Sequence, residues 1–262
     1  MTKLYRKSEL WFALAWIALY VGLMNLALQF CGGFDDLASK TPGQVAVPVG
    51  CILLLCVLST VWILRNGLGE AFGLCRFRGS FREYLWFLPL ILLSCTNLKN
   101  GLTVPAPLPV AALMAVNLAA AGYVEEVIFR GFLFRAMARD NLKTAVIVSA
   151  VTFGAGHIVN LANTADTLGV LLQVCYAIAI GFLYTVIAYK GGSLWPCILS
   201  HIFVNGSSVF SAESGPFTQF LGSPAAAQIA DAALVIALSG GYALWLVRRD
   251  GDRRNHGQNH HL

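Results

Sequence analysis

Long apolar segments recur along the chain of 262 residues and constrain its fold more than any other feature. A membrane-spanning helix needs about 20 apolar residues, because the hydrocarbon core is about 30 Å thick and each residue adds about 1.5 Å. Hydrophobic residues make up 57% of the chain and charged residues only 12%, whereas a soluble domain is about 25% charged. The sequence therefore predicts an all-α polytopic membrane protein, a bundle of about eight transmembrane helices forming one integral membrane domain over 1–262. The predicted spans are 10–30, 45–64, 84–100, 108–129, 144–161, 168–189, 193–211 and 225–247.

The charges between these segments alternate along the chain. Basic residues precede the first segment and follow the second, fourth, sixth and eighth: Lys3, Arg6, Lys7, Arg65, Arg76, Arg78, Arg82, Arg130, Arg135, Arg139, Lys143, Lys190, Arg248, Arg249, Arg253 and Arg254. The other loops contain Asp35, Asp36, Asp166 and Glu213, with Lys40 and Lys99 as their basic residues. The positive-inside rule then predicts that both termini are cytoplasmic, with a polar cytoplasmic tail over 248–262.

The same distribution bears on partners and location. The positive charges lie between apolar segments and form no basic face for a duplex, so we expect a lipid bilayer and no nucleic acid as partner. The first apolar segment is close to 20 residues long and no small-residue cleavage site follows it, which favours a retained span over a signal peptide. The short loops favour a multi-pass protein of a prokaryotic inner (cytoplasmic) membrane.

Three charged residues lie inside or at the end of the fourth apolar segment: Glu125, Glu126 and Arg130. Insertion scales put about 2.5–3.5 kcal/mol on an Asp, Lys or Arg at the centre of a membrane helix. Such residues indicate a functional site that faces the protein interior. Glu126 and Arg130 are four residues apart and can pair, whereas Glu125 lies about 100° away from Glu126 around the helix. We expect Glu126 to be neutralised by Arg130 and Glu125 to be free for chemistry.

Two histidines fall within the predicted spans, His157 in the fifth and His201 in the seventh, and Asn205 follows His201 by one helical turn. Glu125 and His157 each stand about 21 Å along their helices from the polar turn between Arg139 and Lys143, and His201 about 16 Å beyond Lys190. We expect these groups to meet at a similar level, nearer the cytoplasm. Ordinary helix packing is assigned to three further amides: Asn25, Asn117 and Gln173.

A carboxylate surrounded by imidazoles and an amide can act on water. The carboxylate can accept a proton from water, and the other groups can hold the water or donate hydrogen bonds to an oxyanion. No Ser or Cys lies beside a His in a recognisable nucleophile pattern. The residues therefore predict amide hydrolysis by water that a carboxylate activates.

The motifs E-E-x-x-x-R at Glu125, F-x-x-x-H ending at His157 and H-x-x-x-N at His201 resemble those of the CPBP intramembrane proteases, which include CAAX prenyl endopeptidases and bacterial Abi proteins. The resemblance covers about 108–211 and implies eight transmembrane helices. It further implies that Glu125 activates water, that His157 helps to hold it, and that His201 and Asn205 stabilise the oxyanion. Glu126 and Arg130 would organise the site.

The resemblance also implies a glutamic-type endopeptidase without a tightly bound metal, although Glu125, His157 and His201 could ligate zinc chemically. The expected partner is a peptide or membrane-protein substrate; family analogy offers prenylated CAAX tails, but bacterial members usually lack them. Two alternatives stay open. One is a non-proteolytic membrane partner, such as a bacteriocin-immunity or scaffold protein. The other is a proton-coupled transporter with a buried Glu and His relay, which the missing repeat halves disfavour.

Overall fold

The computed structural model describes residues 1–33, 35–77 and 87–258, with side chains as far as residue 249. Every regular element in this part of the chain is helical. The α-helices are α1 (Thr2–Lys7), α2 (Glu9–Phe30), α3 (Pro42–Arg65), α4 (Leu88–Cys95), α5 (Leu108–Glu125), α6 (Phe134–Ala138), α7 (Leu142–Gly156), α8 (Thr167–Gly191), α9 (Trp195–Ser208), α10 (Pro216–Leu221) and α11 (Pro224–Gln258). Short 3-10 turns cover Leu37–Ser39, Thr96–Leu98 and His157–Ala162.

Local sequence signals set the ends of the long helices. At the start of α3, Thr41 and Gln44 form a reciprocal capping box, which satisfies backbone donors that a helix leaves open. The Asp166 carboxylate accepts a hydrogen bond from the backbone N–H of Gly169 at the start of α8. The same helix ends at Gly192, which adopts the left-handed conformation that glycine tolerates without strain.

The helices confirm an all-α, multi-pass membrane protein. Among the described residues, six helical segments are long and apolar enough to cross a membrane, and they coincide with the predicted spans one, two, four, five, six and eight: Glu9–Phe30, Pro42–Arg65, Leu108–Ala138, Leu142–Ala162, Thr167–Gly191 and Pro224–Arg249.

The two remaining predicted spans correspond to shorter helices. For the predicted span 84–100 the structure has α4 and the 3-10 turn Thr96–Leu98, and residues 84–86 lie outside the described residues, as do Arg78 and Arg82. For 193–211 it has α9, whose 14 residues reach about 21 Å, less than the thickness of a hydrocarbon core. At the other end of the chain, α11 continues into the predicted polar tail as far as Gln258.

The helix that starts at Leu108 lies at the centre of the packing. This helix contacts α3 and α9 along α5. Its continuation after Glu125 contacts α2 and α7, and α7 in turn packs against α8. Gly122 allows the contact with α9, because a Cβ at this position would lie 3.0 Å from the His201 carbonyl carbon. The absence of a side chain at Gly122 thus lets the backbone that carries the two glutamates approach His201 closely.

A π-helix occupies Glu126–Leu133 between α5 and α6, so that the span Leu108–Ala138 changes its hydrogen-bonding pattern immediately after Glu125. π-helical turns are rare and frequently lie at functional sites. The Ser149 hydroxyl of α7 donates a 2.9 Å hydrogen bond to the backbone carbonyl of Phe129. A neighbouring helix therefore provides a partner for a backbone group inside the π-helix.

Candidate active site

Glu126, Arg130 and His201 form a buried, hydrogen-bonded group. Arg130 Nη1 donates to Glu126 Oε1 over 3.0 Å, and both side chains are 0% exposed. The same carboxylate oxygen lies 2.8 Å from His201 Nδ1. Because Glu126 is paired with a guanidinium, we assign the Nδ1 proton to His201, which then donates to Glu126. The pairing that the four-residue spacing predicts is present.

Aromatic rings enclose the Arg130 guanidinium. Its Cζ lies 4.2 Å from the centroid of the Phe153 ring and 5.7 Å from that of Tyr184, distances at which the ring faces attract a cation. Gly181 leaves room for this arrangement, since a Cβ there would lie 3.0 Å from Phe153 Cδ1 and 3.1 Å from Arg130 Nη2. The charge is therefore held by one carboxylate and two rings in a space with no water access.

Glu125 has different partners from its neighbour. The Tyr20 hydroxyl donates a 2.5 Å hydrogen bond to Glu125 Oε1, and His201 Nε2 lies 3.3 Å from Glu125 Oε2. The contact with His201 is an ion-pair distance without hydrogen-bond alignment. One ring nitrogen of His201 thus faces each glutamate, and the ion pair of Arg130 is with Glu126 and not with the Glu125 carboxylate.

A cavity of about 430 Å³ lies beside Glu125. Three of the residues singled out from the sequence line it, namely Glu125, His157 and Asn205. His201 is 5% exposed and lies behind Glu125. The structure therefore brings all six predicted residues into one region, but divides them between the cavity wall and the buried group next to it.

Phe153 links the two imidazoles. Its ring centroid is 5.2 Å from that of His157 and 5.7 Å from that of His201, both in edge-to-face geometry. The first residue of the F-x-x-x-H pattern thus packs between both histidines and also covers Arg130. Its role in the site is to position charged and polar groups.

The cavity lies towards the end of the bundle that carries the loop between α7 and α8. Thr164 and Asp166 of that loop line it, together with Leu28 near the end of α2. The cavity therefore extends from Glu125 towards this loop, and the expected depth of the group in a membrane stays a prediction.

Sequence reasoning missed several residues of this cavity. Tyr20 is separated from Glu125 by 105 positions, and a lone tyrosine in an apolar helix carries no signal for such a contact. Five further amide side chains line the cavity: Asn25, Asn117, Asn160, Asn163 and Gln173. Three of them, Asn25, Asn117 and Gln173, are expected from the sequence to serve ordinary helix packing. Their common location could be found only from the tertiary structure.

No group of three or more His, Cys, Asp and Glu side chains within 1–33, 35–77 and 87–249 is arranged to hold a metal ion. In the buried group, each ring nitrogen of His201 already faces a carboxylate oxygen. The arrangement observed is a hydrogen-bonded and ion-paired network beside a cavity.

Residues 107–207 match a family model described as type II CAAX prenyl endopeptidase Rce1-like. The match starts at the residue before α5 and ends within α9, so it contains both glutamates, Arg130, both histidines and Asn205. No curated protein and no solved structure matches the chain.

Proposed function

Through residues 107–207 this chain belongs to the family of type II CAAX prenyl endopeptidases, and from that premise we propose that it is an intramembrane endopeptidase in which Glu125 activates a water molecule. The observation that carries the proposal is the contrast between adjacent carboxylates. Glu126 is fully buried and paired with Arg130, whereas Glu125 lines a cavity. A general base must be within reach of the water that it deprotonates.

The proposed reaction uses one water molecule held beside Glu125. The carboxylate removes a proton from this water, and the water oxygen forms a bond to the carbonyl carbon of the scissile peptide. The resulting tetrahedral oxyanion collapses with cleavage of the C–N bond. Glu125 then gives its proton to the leaving amine nitrogen, which restores the carboxylate. Tyr20 supports this role because its hydroxyl fixes one carboxylate oxygen, while the other oxygen faces His201 Nε2.

His157 and Asn205 are the other polar members of the motifs on the cavity wall. In the proposal His157 helps to hold the water, and Asn205 donates a hydrogen bond to the oxyanion. His201 contributes through its Nε2, which faces Glu125 Oε2 while Nδ1 is held by Glu126. In the proposal Glu125 shares the proton taken from water with Nε2, and the resulting Nε2–H donates a hydrogen bond to the oxyanion until the proton returns to Glu125.

We further propose that the chain crosses a cell membrane with both termini in the cytoplasm. Lys40 and Lys99 belong to loops that this orientation places outside the cytoplasm. Both support the orientation, because each side chain is paired within the protein. Lys40 donates to the backbone carbonyl oxygens of Cys31 and Gly32, each over 3.1 Å, and Lys99 pairs with Asp231 at 2.9 Å. In this orientation the cavity lies towards the extracytoplasmic side.

Comparison of cleavage in cells tests the proposed hydrolase. Membranes from cells that express the wild type, Glu125→Gln or Glu213→Gln are analysed for new protein and peptide N-termini. Glu213 is an exposed glutamate of the loop before α10 and gives a matched control. We expect the same new N-termini with the wild type and Glu213→Gln, and their absence with Glu125→Gln. Equal abundance of these termini with Glu125→Gln would exclude Glu125 as the base.

Metal dependence is tested on the purified wild-type protein. In the proposed mechanism Glu125 takes the proton directly, so hydrolysis is expected to survive exhaustive chelation, with no stoichiometric metal by elemental analysis. Loss of hydrolysis on chelation and its recovery with Zn²⁺ would replace this mechanism with a metal-assisted one.

A further inference from the structure

Six carboxamide side chains line the cavity beside Glu125, and we refer to them as the amide belt: Asn25, Asn117, Asn160, Asn163, Gln173 and Asn205. Asn25, Asn117, Asn160, Gln173 and Asn205 come from α2, α5, the 3-10 turn after α7, α8 and α9, and Asn163 directly follows the 3-10 turn. Each polar side chain in an apolar helix bundle is costly unless it is hydrogen-bonded. Convergence of six such groups on one cavity therefore requires a ligand or a structural reason.

Hydrogen bonds within the amide belt use only part of its capacity. Asn160 Nδ2 donates to Gln173 Oε1 over 2.9 Å, and Asn163 Nδ2 donates to Asn25 Oδ1 over 3.3 Å. One hydrogen bond between two carboxamides leaves one carbonyl oxygen and one NH2 group without a partner in that pair. This remains true if the oxygen and nitrogen assignments of both amides are exchanged.

Two buried acceptors reinforce this observation. Asn117 and Asn163 are 2% and 5% exposed, and within the described part of the chain neither Oδ1 has a hydrogen-bond partner. The orientation of Asn163 is fixed by its Nδ2, which faces two acceptors, Asn25 Oδ1 and the carbonyl of Val159. The oxygen is therefore the unpaired atom, and a buried acceptor without a partner is a group that a donor from a ligand would satisfy.

The chemistry of the amide belt matches a peptide main chain, which carries N–H donors and C=O acceptors in alternation. An isoprenoid chain has neither, so its burial here would leave the carboxamides unsatisfied. The volume of about 430 Å³ falls in the range of roughly 300–1,000 Å³ that is common for ligand sites. Thr164 and Asp166 of the loop between α7 and α8 also line the cavity, and their polar groups suit a polar chain.

We propose that the amide belt binds the main chain of an unlipidated peptide segment and presents it to Glu125. This inference rests on the proposed hydrolase for the fate of the peptide, while binding itself needs no hydrolysis. It assigns to this member of the family a substrate selected by its exposed peptide groups. An attached prenyl chain makes no contribution to recognition in the cavity.

Binding is measured on the full chain in detergent in the inactive Glu125→Gln background. The probes are blocked trialanine, which offers main-chain amides and methyl groups, and S-farnesyl-N-acetylcysteine methyl ester, which offers a prenyl chain. A ligand that binds the folded state raises the melting temperature in proportion to the logarithm of its concentration above Kd. We expect trialanine to raise the melting temperature and the farnesyl probe to leave it unchanged.

A double variant then tests the amide belt directly. Asn160→Leu with Gln173→Leu removes a donor and an acceptor together, so that neither amide is left without its partner. The matched control is Asn66→Leu with Gln219→Leu, since both of these amides are exposed and neither lines the cavity. We expect the trialanine shift to disappear in the first double variant and to persist in the control.

Two results would overturn the inference. One is a rise in melting temperature with the farnesyl probe and none with trialanine. This measurement uses the Glu125→Gln protein with an intact amide belt, so it is informative even if the double variant fails to fold. The other is a full trialanine shift in a folded Asn160→Leu, Gln173→Leu protein. Continued cleavage by Glu125→Gln would instead remove the proposed mechanism and leave the binding result standing, so the two failures are distinguishable.

Discussion

Arg130→Met measures how much the buried ion pair between Arg130 and Glu126 contributes to the stability of the protein. Arg130 and Glu126 are both 0% exposed and 3.0 Å apart. Removal of one member of a buried ion pair costs about 3–5 kcal/mol, because the other charge stays in a low-dielectric environment. Glu126 keeps the hydrogen bond from His201 Nδ1 at 2.8 Å, so we expect the lower end of this range, about 3 kcal/mol.

The expected loss is measurable as an apparent melting temperature in detergent, followed by circular dichroism. One kilocalorie per mole shifts the melting temperature of a chain of this size by about 2–4 °C, so Arg130→Met should melt roughly 6–12 °C below the wild type. The control is Arg139→Met, which removes an ion pair of similar length with Glu9 (2.9 Å) whose arginine is 71% exposed. An exposed pair contributes at most about 1 kcal/mol.

The double variant Glu126→Gln with Arg130→Met completes the test. It removes both charges, so at least half of the loss seen with Arg130→Met should be recovered, since the penalty comes mainly from the unpaired carboxylate. Equal melting temperatures for Arg130→Met and Arg139→Met would refute the reasoning. A double variant that is less stable than Arg130→Met would refute it as well, because it would show that Glu126 is not the source of the penalty.

Three further predictions concern activity, packing and orientation. Tyr20→Phe should lower the melting temperature, because a hydrogen bond to a charged group contributes about 1.5–3 kcal/mol to stability, and should lower kcat of the folded protein about tenfold or more, because the Glu125 carboxylate loses the hydroxyl that fixes it; an unchanged kcat would remove the tyrosine from the site. Gly181→Ala should destabilise the protein by about 1–3 kcal/mol through overpacking, whereas Gly240→Ala, with nothing within 4 Å of the added carbon, should not; equal melting curves would contradict this packing. In a cysteine-free background, a membrane-impermeant maleimide added to intact cells should label Ala165→Cys and spare Lys143→Cys, and the reverse pattern would invert the topology.

The sequence was sufficient for most of the helices and for one contact of the site. Apolar segments of about 20 residues predicted the six long spans because length and hydropathy are local properties. The predicted spans 84–100 and 193–211 are longer than α4 and α9, because the apolar sequence continues through residues that lie outside each helix. Asn97 is an example: it lies in a 3-10 turn and its amide donates to the Val204 carbonyl and to Ser207 Oγ, both over 2.8 Å.

Within the site, local geometry predicted what lies on a single helix. The four-residue spacing gave the pair between Glu126 and Arg130, and about 100° per residue separated Glu125 from it. The contact between Tyr20 and Glu125, the cavity and the amide belt depend on how separate helices pack. The amides that converge there lie far apart along the chain and share no sequence period, so no pattern in the chain could indicate their meeting.

Charge balance explains how the buried group serves the proposed reaction. Glu126 and Arg130 form an ion pair that is 0% exposed, so Glu125 carries the remaining negative charge beside the cavity, and an unbalanced charge is costly in apolar surroundings. When Glu125 takes a proton from water in the proposed reaction, the carboxylate loses its charge at the moment when the oxyanion gains one, so the total charge of the site is unchanged. The hydrogen bonds that His201 and Asn205 make to the oxyanion in this proposal exist only as the transition state forms, which is the condition under which an interaction raises kcat.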